Sequence, residues 1–332
     1  MALRHRIILL VMAAALLAGC GNGPDPYLRE DPFIVRNFRP FNGDVWIGNA
    51  VCYGPHRDGQ RPGETEPSAA EIREDLELML PHWNLLRVYG SAGFAETLLN
   101  LILDDGLDMK VVLGVWIAPN AAEANRHEVD TAIRLAAAFP EIVIAISVGN
   151  ETQIHWSAHR TPFDTLLVNV RRVRAGVSVP VTVADDFNYW NKPESLVMAA
   201  EIDFIMMHAH PMWNGLQLDG ALDWLRAQVD AVQARHPHRA VILGETGWAT
   251  SVHDQGEQAE LIKGTPGESE QKTFHDAVRA WGKAKSQAVF FFEAFDENWK
   301  GGDHPDEVEK HWGLFRADRS GKQAVKAALM EQ

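Results

Sequence analysis

Ile142-Val143-Ile144-Ala145-Ile146-Ser147-Val148-Gly149-Asn150-Glu151 is apolar almost without interruption and then stops on an amide and a carboxylate. A run with no polar face is what a parallel strand covered on both sides by other elements requires. Working outward, seven more such runs appear: Val45 to Tyr53, Trp83 to Tyr89, Met109 to Trp116, Val179 to Ala184, Ile202 to His208, Ala240 to Leu243 and Ala288 to Phe295. They recur at intervals of about 20 to 50 residues, the spacing of repeated βα units.

Helical patterns fill the gaps. Ser68 and Glu71 form a capping box before Ile72, Leu76, Met79 and Leu80, which share one helical face. Phe94, Leu98, Leu101 and Ile102 repeat the pattern before Gly106; Leu222, Leu225, Val229 and Val232, then Phe274, Ala277, Val278 and Trp281, repeat it later. No linker or low-complexity segment breaks the alternation, so the expected fold is α/β, a single (β/α)8 TIM barrel over residues 43–332. The alternative, a doubly wound open sheet, needs a glycine-rich phosphate turn after the first strand. Tyr53-Gly54-Pro55-His56 does not supply one.

The amino-terminal end has a different composition. Arg4, His5 and Arg6 precede the apolar run Ile7 to Leu17, which is too short to remain as a membrane span and reads as a secretory signal over residues 1–19. Leu17-Ala18-Gly19-Cys20 resembles the lipobox of bacterial lipoproteins, and the resemblance implies lipidation at Cys20. The alternative is an ordinary signal peptide with Cys20 incidental. Residues 20–42, rich in Gly, Pro, Asp and Arg, read as the lipidated cysteine and its tether. The expected location is the cell envelope, on the periplasmic face of a membrane. Gly21, where an aspartate often retains such proteins at the inner membrane, favours the outer one where there are two.

Of the 2 cysteines, only Cys52 remains, which leaves no intrachain disulfide and suggests a small buried apolar residue. A formal net charge of -14 argues against nucleic acid and anionic headgroups as partners, and suits a neutral polymer. With 46% hydrophobic and 23% charged residues, the composition is that of a globular body.

In a barrel, catalytic groups collect at the carboxyl ends of the strands. The fourth run ends on Asn150-Glu151 and the seventh continues as Gly244-Glu245-Thr246-Gly247-Trp248. A retaining glycosidase needs two carboxyls roughly 5 to 5.5 Å apart, one to protonate the leaving oxygen and one to attack the anomeric carbon. A glutamate that only caps a helix or pairs with an arginine is the bland alternative for either residue alone.

The Val148–Glu151 and Glu245–Trp248 segments resemble glycoside hydrolase family 17, as do Arg87-Val88-Tyr89-Gly90 and the stretch from Phe292 through Glu293, Glu297, Trp299 and Lys300 to Glu309-Lys310-His311-Trp312-Gly313-Leu314-Phe315. The resemblance covers about Trp46 to Phe315. It implies a retaining β-1,3-glucan glycosidase or transglycosylase with Glu151 as acid/base and Glu245 as nucleophile. On the same basis Asn150 bonds the sugar 2-hydroxyl, Tyr89 orients Glu245, and Glu297 and Lys300 are a further acidic and basic pair in the cleft. Glu293 shares strand parity with Glu297 and is expected to face inward. Glu151 must be protonated when substrate arrives, so burial or a neighbouring carboxylate is expected beside it.

Tyr53, Trp213 and Trp248 complete the expected substrate contacts. Of the 11 tryptophans, Trp116, Trp156, Trp190, Trp213, Trp248, Trp299 and Trp312 fall at or after strand ends, where aromatic faces suit the C–H faces of sugars and also serve as loop anchors. His208-Ala209-His210 shares one side of a strand, but this spacing alone is a weak metal motif, and neither metal nor cofactor is expected. His210-Pro211-Met212-Trp213 departs from the aromatic "YPF"-like segment of plant relatives, and Ala249 stands where many relatives have proline.

Three functions are thus weighed: hydrolysis or transglucosylation of β-1,3-glucan by a monomer, non-catalytic glucan binding on a barrel, and a metal-dependent hydrolase using His208 and His210.

Overall fold

The computed structural model describes residues 33–328. Eight parallel strands close into a barrel: β1 (Asn49–Cys52), β2 (Leu85–Arg87), β3 (Lys110–Val115), β4 (Val143–Asn150), β5 (Val181–Asp186), β6 (Ile205–His208), β7 (Val241–Thr246) and β8 (Val289–Phe291). Each pairs with its sequence neighbour, and β8 closes on β1. The helices α1 (Ala69–Met79), α2 (Ala95–Asp104), α3 (Ala122–Ala138), α4 (Phe163–Gly176), α5 (Phe187–Trp190), α6 (Ser195–Ala199), α7 (Leu218–Arg235), α8 (Gly256–Leu261) and α9 (Glu268–Lys285) lie between strands, and α10 (Gln323–Ala328) follows the last. The expected capping box is present: Ser68 accepts the Glu71 N–H, and Glu71 accepts the Ser68 N–H at 2.7 Å. Among the described residues, no helix is long and apolar enough to cross a membrane.

Strand alternation divides the core into two layers. Ala50, Cys52, Leu85, Val112, Ala145, Ala184, Met206, Ile242 and Phe290 fill the barrel interior. Val51, Leu86, Val111, Ile146, Val183, Met207 and Leu243 face outward into the helix layer. Cys52 is buried and its Sγ–H donates to the Gly244 carbonyl at 3.4 Å; burial pushes the thiol up to about 12, so it packs as a small inert side chain.

Two strands leave regular register near their carboxyl ends. The β4–β5 pairing shifts between Ser147 and Asn150, around Gly149 at φ +76°, and the β6–β7 pairing shifts so that His208 pairs with Glu245. Such bulges re-aim the side chains that follow them. β7 runs on through Glu245 to Thr246, beyond the expected end at Leu243. β8 is shorter than expected, because from Phe292 onward the chain turns to bond the Trp312–Phe315 segment, with the Leu314 N–H donating to Glu293 O and Phe315 to Ala294 O.

The tether expected over residues 20–42 does not extend to residues 33–42. Cys20 and residues 1–32 lie outside the described residues, but from Phe33 the chain is already bound to the barrel floor. The Arg36 N–H donates to Asp203 at 2.9 Å, and its guanidinium reaches the carbonyls of Arg174 and Val179. Phe38 stacks on Phe204 inside the barrel, with ring centroids 4.7 Å apart. A hairpin of Phe41–Asn42 and Val45–Trp46 follows. These contacts outweigh the polar composition on which the tether reading rested.

Candidate active site

At the carboxyl ends of the strands, β4 and β7 present Glu151 and Glu245. Glu151 sits at φ +50°, a left-handed conformation that costs a non-glycine residue free energy and persists only where its surroundings enforce it. Here its N–H is bonded to Ala184 O at 2.9 Å. An oxygen of Glu151, an oxygen of Glu245 and a ring nitrogen of His208 all lie within 4.8 Å of one another.

Glu245 is the more enclosed carboxylate. Its Oε1 accepts from Arg87 Nη1 at 2.8 Å and from the Tyr89 hydroxyl at 2.9 Å. Its Oε2 has only a long contact, 3.4 Å, to His210 Nε2. Burial works against the charge, but the hydrogen bond from His210 and the Arg87 guanidinium outweigh it and hold Glu245 well below the usual carboxylate range. The group is therefore ionised, with Oε1 saturated and Oε2 open.

Arg87, to which the sequence motif assigns no role, links the nucleophile candidate to Asn150. It is buried, bonds Glu245 through Nη1, and sends Nη2 to Asn150 Oδ1 at 2.7 Å. A guanidinium only donates, so Asn150 keeps its oxygen toward Arg87 and its Nδ2 hydrogens free for the cleft. The Arg87 charge also lies beside the group formed by Glu151, His208 and Glu245: its Nη1 is 3.1 Å from His208 Nε2.

Glu151 is partly buried, with 27% of its side chain exposed, and bonds His208 Nδ1 at 3.0 Å. The neighbouring carboxyls are Asp185 and Asp186 at the end of β5. Burial pushes Asp186 up to about 6, with the Glu151 charge adding to the rise. Asp185 accepts the Gln153 N–H at 2.8 Å and so shapes the loop after Glu151.

A second cluster lies at β8. Lys300 Nζ bridges Glu293 Oε2 at 2.5 Å and Glu297 Oε2 at 2.8 Å. Burial pushes Glu293 well above the carboxylate range, the Glu297 charge adding to the shift and Lys300 offsetting only part of it. For Glu297, burial is outweighed by the Lys300 charge, by the nearby His56 ring at 3.6 Å and by bonds from Lys300 and Trp299, which hold it well below that range. The two carboxyls that share Lys300 are thus pushed in opposite directions by their surroundings. Gly54 makes room for the cluster, since a Cβ there would lie 2.5 Å from Glu297 Oε1.

Two expected substrate contacts are corrected. Tyr53 is fully buried in the helix layer, where its hydroxyl donates to Asp75 at 3.1 Å. It shares outward parity with Val51, so it cannot reach the cleft. Trp248 is also enclosed: it packs on Phe274 of α9, and its Nε1 donates to Thr265 O at 2.9 Å. Trp213 stays partly exposed, donates to Glu309 at 3.2 Å, and lines a cavity of about 420 Å³ with His253, Gln258, Glu307 and Glu309. Of the other strand-end tryptophans, Trp190 and Trp312 are buried, whereas Trp116, Trp156 and Trp299 retain exposed surface.

Comparison with known proteins agrees with this geometry. The chain is 28% identical over 282 residues to a glucan 1,3-beta-glucosidase of Arthroderma benhamiae, covering 79% of this chain and 86% of that protein. It superposes on an endo-laminarinase from Formosa with a TM-score of 0.76 at 25% identity, covering 86% and 88% of the two chains. The fold is also that of a glycoside hydrolase family 17 β-1,3-glucanosyltransferase from Rhizomucor miehei, with a TM-score of 0.68, 24% identity, and 83% and 96% of the chains covered. Residues 50–313 match the model of the BtgE/BtgC glycoside hydrolase domain, and the chain belongs to that family.

Proposed function

We propose that this enzyme cleaves β-1,3-glucosidic bonds with retention, using Glu245 as nucleophile and Glu151 as acid/base, and that water or a second sugar resolves the glycosyl-enzyme. The carrying observation is the approach of Glu151 and Glu245 oxygens to within 4.8 Å. That spacing suits direct attack by one carboxylate; inverting enzymes hold the pair roughly 6.5 to 9.5 Å apart to admit a water. The names of the relatives, a glucan 1,3-beta-glucosidase and an endo-laminarinase, supply the substrate class.

The chemistry follows from the bonds. Oε2 of Glu245 attacks the anomeric carbon while Glu151 gives its proton to the departing oxygen. Arg87 and Tyr89 hold Oε1, so the attacking oxygen keeps its direction. Asn150 Nδ2 donates to the 2-hydroxyl, a contact that strengthens in the transition state. In the second step Glu151 takes a proton from water or from an acceptor hydroxyl, and the ester to Glu245 breaks. Intact Glu151 and Glu245, with their bonded surroundings, favour catalysis over glucan binding alone.

The test joins two measurements. A 2-fluoro glycoside that accumulates the intermediate should label Glu245 covalently, and Glu245→Gln should abolish turnover while laminari-oligosaccharide binding persists; unchanged turnover would sink the assignment. Products longer than the starting oligosaccharide identify transfer, and exclusively shorter ones identify hydrolysis.

We also propose a lipid at Cys20 and residence in the cell envelope, on the strength of the lipobox-like end. Because the chain joins the barrel at its floor, a lipid there holds the floor toward the membrane and turns the cleft outward. Loss of membrane association in Cys20→Ala checks the anchor.

A further inference from the structure

His208 is fully buried between the two glutamates. Its Nδ1 lies 3.0 Å from Glu151 Oε1 and its Nε2 3.1 Å from Arg87 Nη1. The Arg87 guanidinium beside Nε2 disfavours a proton there, although Glu245 Oε1 lies 3.5 Å away, so the ring's proton is placed on Nδ1, directed at Glu151. The Oε1 lone pair facing His208 is thereby occupied. The geometry points to His208 as the positioning residue that decides which oxygen of Glu151 carries the catalytic proton: with Oε1 accepting from Nδ1–H, the acid proton resides on Oε2. A proton on Oε1 in that direction would set two donors against each other.

This inference rests on the reading of Glu151 as acid/base. In the first step the proton leaves Oε2 for the glycosidic oxygen as the bond from that oxygen to the anomeric carbon breaks and the bond from Glu245 Oε2 forms. In the second, a water or sugar hydroxyl returns a proton to Glu151 Oε2 as its oxygen displaces Glu245. His208 keeps its own proton throughout.

The surroundings are fitted to the ring. A Cβ on Gly244 would lie 3.2 Å from His208 Cδ2 and 2.2 Å from Met206 Cγ, so glycine at this point of β7 leaves the space the imidazole uses. Arg87 is itself held by Glu245, by Gly244 O at 2.9 Å and by Asn150. His208 is therefore held in one orientation, and the Arg87 charge favours the tautomer with its proton on Nδ1.

The test exploits leaving groups. A sugar hydroxyl needs protonation to depart, whereas 2,4-dinitrophenolate does not, so placement of the acid proton affects only the first. The values of kcat/KM for laminaritetraose and for 2,4-dinitrophenyl β-laminaribioside are compared in the wild type, Glu151→Ala, His208→Phe and His208→Asn, with folding checked by circular dichroism. General acid catalysis contributes about 10²- to 10⁴-fold, so Glu151→Ala should lose that much on the tetraose and far less on the aryl glycoside. His208→Phe should show the same split, at least about 10-fold. His208→Asn, whose amide can still donate to Oε1, should recover most of it. Equal losses on both substrates in His208→Phe, or no loss, while Glu151→Ala keeps its split, overturn the role of His208 alone. Absence of a split in Glu151→Ala overturns the acid/base reading and this inference together. Should the phenylalanine variant not fold, His208→Ala carries the same comparison.

Discussion

The charge on Glu245 depends on a few neighbours. An ordinary glutamate titrates near about 4.3. Burial would raise that value here, and His210 and Arg87 reverse the effect and depress it. For a depressed carboxylate, the stability gained from the charged form is fully present above the unfolded pKa and is lost as pH falls through the folded one. The acid limb of kcat/KM, where it reports this nucleophile, should therefore fall below about pH 4. His210→Phe removes both the hydrogen bond to Oε2 and a positive neighbour, so the limb should move upward, toward the ordinary carboxylate range. A pH–rate profile of the two proteins, limited to pH values at which circular dichroism shows both folded, checks this; an unmoved limb would mean that His210 does not tune the nucleophile. The sequence made His208 and His210 visible as a pair on one side of a strand. It did not show that the nearby cation is the Arg87 guanidinium, because a pair of histidines reads the same whether its neighbour is a metal or an arginine.

At the scale of elements, parity explains which readings held and which did not. Ala50 and Cys52 point into the barrel while Val51 and Tyr53 point out, so Tyr53 stands near the mouth in sequence but behind the wall in space. There it joins Asp75, which also takes a bidentate pair from Arg319 at 2.8 and 2.9 Å and thereby ties the carboxyl-terminal segment to α1. Both charged groups are almost wholly enclosed, and removing one partner of such a pair costs about 3 kcal/mol or more. Asp75→Ala should lower the thermal midpoint markedly, and Tyr53→Phe should lower it by much less, since it loses one neutral-to-charged bond. Both should leave KM for laminari-oligosaccharides unchanged in the folded fraction. A raised KM in Tyr53→Phe would restore Tyr53 to the cleft. Strand parity carries this placement, yet the expectation that Tyr53 contacts substrate follows nearness to the strand end rather than parity. The bulges at Gly149 and Gly244 were not legible, because nothing in a local apolar run shows where two strands slip relative to each other, and those slips bring Asn150 and Glu245 to the level of their partners. Trp248 shows a related limit: an indole buries its face equally well against a sugar or against Phe274, and only the α8–α9 segment closing over it decides.

For the whole molecule, the decisive asymmetry is that the chain enters at one end of the barrel and the chemistry sits at the other. Arg36 and Phe38 are fixed to Asp203 and Phe204, just before β6 begins, whereas Glu151 and Glu245 lie where β4 and β7 finish. A lipid attached at Cys20 is separated from Phe33 by 13 positions, which at full stretch span at most about 45 Å. On the proposed anchor, the barrel floor would lie within that reach of the bilayer, and the exposed side chains of Ile34 and Val45 belong to the segment that leads into the barrel there. Cys52 is buried, so a cysteine introduced on the surface can be labelled selectively. In the lipidated chain on vesicles, a fluorophore at Val45→Cys should be quenched by a quencher carried on the lipid headgroups. One at Trp156→Cys, in the loop after Glu151, should not be, and laminarin added outside should be cleaved at the same rate as by the unanchored Cys20→Ala protein. Stronger quenching at position 156 than at position 45 would mean that the cleft faces the bilayer. The enzyme would then be expected to act on glucan held at the membrane surface rather than on polymer lying beyond it.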